Sequence, residues 1–439
     1  MTQGYSQSPS WPSIKSHIIP LVNDTTEYGT PFIQAHHNLG WEDGVYISRD
    51  GLRMYAFYLP ADLLSFSNYL NLNPVCPPIH HYIRGPLLGV DTITNPWGCP
   101  SILHSDIIYA SRNDTSLPFN NWQPSNLANP SEWEGAPQSI VKSNGSLEFF
   151  VYTMSNNSQT DIYWFRDTID NPTGPGVIMP FPVNSPSFSE DNPHLERIND
   201  TTLVLFLDNH SSAGSSADIF YTISYDDGVS WQPKSPVSTV NSLTEDIQPH
   251  LWFDGNDWWL YYVTNDTADI NNRLSIFRMK QSISGDFDSW EKKELVIGPG
   301  SVADTSGYVL AVGEPTLTAW GDISFVVAVQ ALRTNDTTDV FELDPWYLPR
   351  KHPVNTGILN TSYTEDVIDI YPNPVKDNIN ISTSKNGKLS IYSVLGKKVV
   401  PEINLIEGVN NIKVNLPPKM YILVIENEKT LINRKVIIK

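Results

Sequence analysis

The strongest constraint on this chain is an internal repeat. Five segments share one layout: WEDGVYISRDGLRMYAFYL (41–59), WEGAPQSIVKSNGSLEFFVYT (133–153), SEDNPHLERINDTTLVLFLD (189–208), TEDIQPHLWFDGNDWWLYYV (244–263) and VGEPTLTAWGDISFVVAVQ (312–330). Each has an acid, usually a proline soon after, a short apolar strand, an Asn/Asp/Gly turn and a second apolar strand. A third strand follows at 105–112, 160–166, 217–224, 273–280 and 338–344, and a fourth, Trp-bearing segment after most of them. Pro137, Pro193 and Pro249 are spaced by 56 residues, and Pro315 follows 66 later. Self-similar units of this length with four strands each are blades that cannot bury their faces alone, so they must stack around an axis.

The count predicts an all-β, five-bladed β-propeller over residues 1–350. The fifth repeat runs out after its third strand, so a segment near 16–22, after Trp11-Pro12, is expected to close the last blade and leave no free edge. The stretch 60–104 reads as an insertion in blade one. The acid–x–x–Pro, Asp-Gly turn and Trp-x-Pro pattern resembles TolB-like (WD-like) propeller repeats. Ser224–Trp231 is similar to the Asp-box of sialidases, a turn-forming device in that family.

Composition then breaks at the C-terminus. Residues 365–439 hold 11 Lys/Arg against 8 Asp/Glu, a net charge of +3, whereas residues 1–364 carry −23 and all thirteen Trp. A polar linker is expected at 351–364, followed by a small domain over 365–439 with short strands between turn clusters, an immunoglobulin-like β-sandwich. The string Tyr371-Pro372-Asn373-Pro374, then LSIYSVLGKKV, MYILVIE and NRKVIIK, resembles the C-terminal sorting domain of the type IX secretion system of Bacteroidetes. Lys419 stands where that family commonly has Gly. The resemblance implies export to the cell surface or beyond, with the secretion machinery as a partner. MTQGYSQSPS has no apolar core, so the signal peptide that export requires is expected to be already removed. An oxidising compartment implies a disulfide between Cys76 and Cys99.

The net charge of −20 argues against nucleic acid as a partner, because phosphate binding needs clustered Lys and Arg. No stretch approaches the roughly 20 apolar residues of a membrane helix. A monomer acting on a polysaccharide or cell-surface glycan is the expectation. Asp43, Glu134, Asp191, Asp246 and Glu314 open the innermost strands and are expected to converge at the channel mouth, where neighbouring carboxylates raise one another's pKa and suit acid/base hydrolysis of a glycosidic bond. After the proline come Gln138, His194, His250 and Thr316, with Tyr46 at the matching place in blade one. His194 and His250 are candidate acid/base groups, and Tyr46, Gln138 and Thr316 candidate substrate contacts; each could instead hydrogen-bond within its blade. His80, His81 and Arg84 lie in the insertion, which could cover the mouth. No cofactor is called for; acidic loops suit Ca2+, without an EF-hand-like spacing. A non-catalytic glycan- or protein-binding propeller is the alternative reading.

Overall fold

The computed structural model describes the chain except residues 1–10, 36, 63–77, 95–98, 100, 128–131, 143, 156–158, 211–215, 267–271, 303–306, 332–339, 352–368, 372–374, 377, 384–385, 394–397 and 427–430. Its contacts divide it into two units, Met1–Thr356 and Gly357–Lys439. Both are built of β-structure, as the repeat and the alternating tail require.

In the larger unit each repeat becomes one antiparallel sheet, numbered here as its repeat. Sheet two runs Trp133–Val141, Leu147–Ser155, Thr160–Thr168 and Val177–Ile178 from inside outward. Sheet three runs Ser189–Arg197, Leu203–His210, Ala217–Ser224 and Ser235–Pro236, and sheet four Asp246–Phe253, Trp258–Thr264, Ser275–Gln281 and Trp290–Val302. Sheet one holds Trp41–Ile47, Arg53–Leu59, Asp106–Ser111 and Gln123–Pro124; sheet five holds Gly307–Leu317, Ile323–Ala331 and Val340–Leu348. A parallel bridge from Leu343 to Trp41 joins five to one.

Apolar content falls from the axis outward, for a packing reason. A second strand such as Leu147–Ser155 has neighbours on both faces, so Phe149, Phe150, Val151 and Tyr152 are all buried, while Val177 on the outermost strand is 69% exposed. Each core cluster lies between two adjacent sheets. Phe149, Val151 and Trp164 pack on Leu195, Leu205 and Trp231 between sheets two and three. Val204 and Phe206 pack on Leu260 and Tyr262 between three and four. Similar clusters join four to five, five to one and one to two. The inner strands therefore touch in a closed cycle.

The N-terminal segment closes the ring differently from expectation. Ile18–Val22 pairs with Trp290–Val302, as a fifth strand of sheet four, with Ile18 opposite Val302. The long last strand of that sheet offers an open edge, and residues 18–22 cover it. Trp11-Pro12 opens a short helix, Trp11–Ser16, where proline is tolerated in the first turn. It is Phe32–Ile33 that pairs with Val340–Leu348 to complete sheet five. In the insertion, Thr92–Thr94 pairs with Ser101–Leu103, and Cys99 is fully buried. Cys76 lies outside the described residues, so the pairing with Cys99 stays an expectation.

The smaller unit has two antiparallel sheets. One contains Asp369–Tyr371, Asn378–Thr383 and Gly408–Lys413; the other contains Lys398–Leu405, Gly387–Ser393, Met420–Glu426 and Leu431–Ile437. Ile379 and Ile381 from the first pack with Leu389, Ile391, Leu423 and Ile425 from the second. The strand Lys398–Leu405 has little strand signal of its own, because its exposed edge carries Lys398, Pro401 and Glu402 where apolar alternation would mark a strand.

Candidate functional site

Every inner strand carries the same irregularity. Its pairing with the second strand slips between Asp43 and Tyr46, Gly135 and Gln138, Asp191 and His194, Ile247 and His250, and Gly313 and Thr316. Such a bulge bends the strand and re-aims a side chain. The first bulged residue is left-handed in all five: Gly44 (φ 54°), Ala136 (43°), Asn192 (47°), Gln248 (56°) and Glu314 (53°). For the four that are not glycine this costs about 1–2 kcal/mol each. All five line a narrow void of about 30 Å³ along the axis, together with the residues that follow them.

This register separates acids that the sequence aligns. Asp43 and Asp191 immediately precede the bulge, Glu314 is the bulge residue itself, and Glu134 and Asp246 stand one place further back, level with Glu42 and Glu190. The rear position is a structural one. Glu42 accepts hydrogen bonds from the Asn38 N–H and Nδ2, at 2.8 and 2.9 Å, and Asp246 from the Ser242 N–H and Oγ, at 2.6 and 2.7 Å. Each ties the incoming loop to its strand. Glu42, Glu134, Glu190 and Asp246 are all at most 1% exposed. The five acids therefore do not form one ring. Asp246 faces its own loop, and Glu134 borders the mouth from a buried position.

The mouth is a cavity of about 270 Å³ whose lining includes Asp43, Phe57, Trp133, Asp191, Gln248 and Glu314. Asp43 accepts from the Trp41 indole at 3.0 Å and from the Gly44 N–H at 3.0 Å. The Asn192 N–H binds the Asp191 carboxylate at 2.9 Å. Asp208, directly across the ladder from Asp191, is 1% exposed and accepts from Asn192 Nδ2 at 2.7 Å and from the Gln248 N–H at 2.8 Å. Burial pushes the Glu314 carboxyl well above the ordinary range, and the charges of Asp43, Asp208 and Asp191 push it in the same direction. Asp43 is raised too, by burial, but two hydrogen bonds to its charged form oppose the rise. Two carboxyls in one cavity thus have their affinities for the proton set apart.

The layer beneath is built for a different purpose. The Tyr46 hydroxyl donates to the Ser139 carbonyl at 2.5 Å, linking sheet one to two. Gln138 donates to the Leu195 carbonyl at 2.7 Å and accepts from its N–H at 2.8 Å, linking two to three. The His194 ring approaches the Leu251 main chain and lies 4.1 Å, centroid to centroid, from His250, so it joins three to four by contact. His250 Nε2 accepts from the Leu317 N–H at 3.1 Å, linking four to five. The Ile47 N–H donates to Thr316 Oγ1 at 3.1 Å, linking one to five. The five residues expected to meet substrate instead sew each sheet to the next. His194 and His250 are 3% and 2% exposed, with ring centroids 4.1 Å apart. Burial lowers the pKa of both, and the charge of Arg49 acts in the same direction. Glu196, 3.6 Å from His194 Nε2, opposes that fall for His194, and both rings stand in the linking layer beneath the mouth cavity. Below them Arg49 reaches across the axis to the Leu317 and Leu251 carbonyls and to Glu196 at 2.8 Å.

Two of the insertion residues singled out in the sequence have described side chains. His80 is exposed, and Arg84 contacts Asp62 at 3.3 Å and the Phe341 carbonyl at 3.4 Å. The His81 side chain lies outside what the structure describes. Trp133 does line the cavity, whereas Trp259 donates to Asp254 at 2.9 Å beneath the Arg278 guanidinium. Ser224–Trp231 is a turn in which Asp226 accepts from Ser224 Oγ, the Ser230 N–H and Ser230 Oγ. Among the described residues no group of three or more His, Cys, Asp or Glu is placed to hold a metal ion. Sequence reasoning missed Asp208 and Gln248. The place before the proline reads Ala136, Asn192, Gln248 and Glu314 in repeats two to five, and Gly44 in repeat one, where Val45 stands for the proline; the single acid in that column is the signal that singles out Glu314.

Residues 369–439 match the family model of the secretion system C-terminal sorting domain. No curated protein matches the chain. Among solved structures, the catalytic domain of a Coprinopsis cinerea GH62 alpha-L-arabinofuranosidase is 11% identical, covering 76% of this chain and 95% of that one, with a TM-score of 0.41. A thermostable family-43 glycoside hydrolase is 11% identical over 76% and 99%, with a TM-score of 0.42. The native Bacillus subtilis arabinanase is 12% identical over 72% and 95%, with a TM-score of 0.38. Similarity at this level assigns no residue and no activity.

Proposed function

We propose that the larger unit is a five-bladed β-propeller that hydrolyses a glycosidic bond, carried to the cell surface or beyond by type IX secretion through an immunoglobulin-like C-terminal domain. Glu314 is the general acid and Asp43 the general base. The observation that carries this reading is the grouping of the half-buried Glu314 carboxyl with Asp43 and Asp191 in the lining of the mouth cavity: burial and the charges of Asp43, Asp208 and Asp191 push Glu314 up, whereas hydrogen bonds from the Trp41 indole and the Gly44 N–H favour the charged form of Asp43. Groups whose environments drive their pKa values apart are the means by which one site supplies an acid and a base together.

In this reaction Glu314 gives its proton to the oxygen of the leaving sugar while Asp43 takes one from the attacking water. The glycosidic C–O bond breaks and a new C–O bond forms from the water. Asp191 and Asp208 keep Glu314 protonated, and Trp133 and Phe57 offer apolar faces to a sugar ring beside the hydroxyls of Thr153 and Ser155.

The test is a panel of plant, algal and bacterial glycans with reducing-end detection. Wild type should release sugar, and Glu314→Gln and Asp43→Asn should each lose at least about a hundredfold in kcat. Undiminished turnover in either variant sinks the assignment. Saturable glycan binding without any product would point instead to a binding propeller.

A further inference from the structure

We infer that Gln248 is a positioning residue that decides which oxygen of Glu314 carries the catalytic proton; the inference rests on Glu314 acting as the acid. Gln248 comes from sheet four and Glu314 from sheet five, so the contact exists only because the ring brings two bulges together. The Glu314 N–H donates to Gln248 Oε1 at 3.0 Å, and Gln248 Nε2 donates to Glu314 Oε1 at 2.6 Å. A backbone N–H can only donate, so it fixes the amide with its oxygen toward the Glu314 main chain and its nitrogen toward the carboxyl.

The amide has no freedom to turn over. The Gln248 backbone N–H is anchored by Asp208 at 2.8 Å, and the side-chain oxygen sits 2.7 Å from where any Cβ at Gly313 would stand, so position 313 accepts only glycine while the amide stays there. An N–H pointing at Oε1 meets a lone pair well and a proton badly. A proton on the Glu314 carboxyl is therefore confined to Oε2, which makes no hydrogen bond to the described protein and belongs to a side chain lining the cavity. Without the amide, the proton divides between two oxygens, and a molecule protonated on Oε1 cannot pass it to the leaving group.

Neutron diffraction and kinetics test this together. In wild-type crystals near neutral pD, the deuteron should sit on Glu314 Oε2, with none between Oε1 and the Gln248 amide; a deuteron on Oε1 overturns the inference. In solution, Gln248→Met keeps the volume and removes the donor. With aryl glycosides of neutral sugars, it should lose about tenfold or more in kcat when the leaving group is a poor one such as 4-methoxyphenol. The loss should be several-fold smaller with 2,4-dinitrophenol, which leaves without a proton. Equal losses on both would show a merely structural role. Gln248→Glu, which accepts a proton from Oε1 instead of repelling it, should show the same leaving-group dependence; wild-type rates in that variant overturn the inference. If Glu314→Gln stays active, the acid assignment itself fails. If Glu314→Gln is inactive while Gln248→Met behaves as wild type, only the role of Gln248 fails.

Discussion

Two layers of the channel, one bulge apart, make opposite use of the same repeat. In the lower layer Tyr46, Gln138, His194, His250 and Thr316 differ in chemistry but do one job, joining one inner strand to the next: four by hydrogen bonds and His194 by ring contact with His250. In the upper layer Gly44, Ala136, Asn192, Gln248 and Glu314 share one backbone conformation but do different jobs. The lower layer is held to a role by the ring, because an unpaired buried donor is costly. The upper layer faces a cavity, so its side chains are free to diverge once the bulge has aimed them. A repeat alone therefore says less about function than the position at which its copies part company.

The largest test of this contrast is in turnover. Glu314→Gln should remove at least about a hundredfold of activity, whereas His250→Ala should leave kcat per folded molecule near wild type and remove stability instead. The lost partner of the Leu317 N–H and the cavity left by the ring make that cost about 2–4 kcal/mol, read from denaturant unfolding. A His250→Ala protein that is stable but inactive would return the histidines to the chemistry.

The next test is the sign of pH dependence. The folded-state pKa of Glu314 lies above its unfolded value, so the folded protein holds a proton that the unfolded chain releases. That side chain therefore costs stability as pH rises past the ordinary carboxylate range of about 4.3. Glu314→Gln should raise the Tm at neutral pH, with the gain shrinking as pH falls toward 4. The folded-state pKa values of His194 and His250 lie below about 6.5, so these residues cost stability as pH falls through that value. A His194→Gln/His250→Gln variant should flatten the acid limb between about pH 6.5 and 5, as measured by Tm against pH.

The smallest effect concerns the conformation that both layers depend on. Ala136 holds the left-handed place that glycine fills in repeat one, and it brings no polar group to the mouth. Ala136→Gly should stabilise the protein by about 1 kcal/mol and leave activity unchanged. A loss of activity would mean that the methyl group itself shapes the cavity.

Part of the candidate site is legible in the chain without a structure. Asp43, Asp191 and Glu314 stand at the mouth, as the repeat suggests. Glu134 and Asp246 stand one place further back than Asp43 and Asp191, and one place along a strand is the other side of the sheet, so Asp246 meets its own loop and Glu134 borders the mouth only from a buried position. His194 and His250 looked like a reactive pair because they occupy matching places in adjacent repeats. Their partners, Leu251 and Leu317, lie about 60 residues further on in the chain, and only the ring brings them near. Asp208 escaped notice because it sits in the second strand, where the residue pattern marks burial and nothing else.

The sequence by itself determined what depends on local pattern: all-β structure, five repeats, a boundary before a basic tail, and a tail that matches a secretion sorting domain. Those follow from apolar periodicity, turn residues and composition, which neighbouring residues supply. The tertiary structure alone decided which N-terminal segment completes sheet five, which acids share a cavity, and that Gln248 lies against Glu314. Each of these is a contact across dozens of residues, created when five sheets close on one axis, and no local pattern carries that distance.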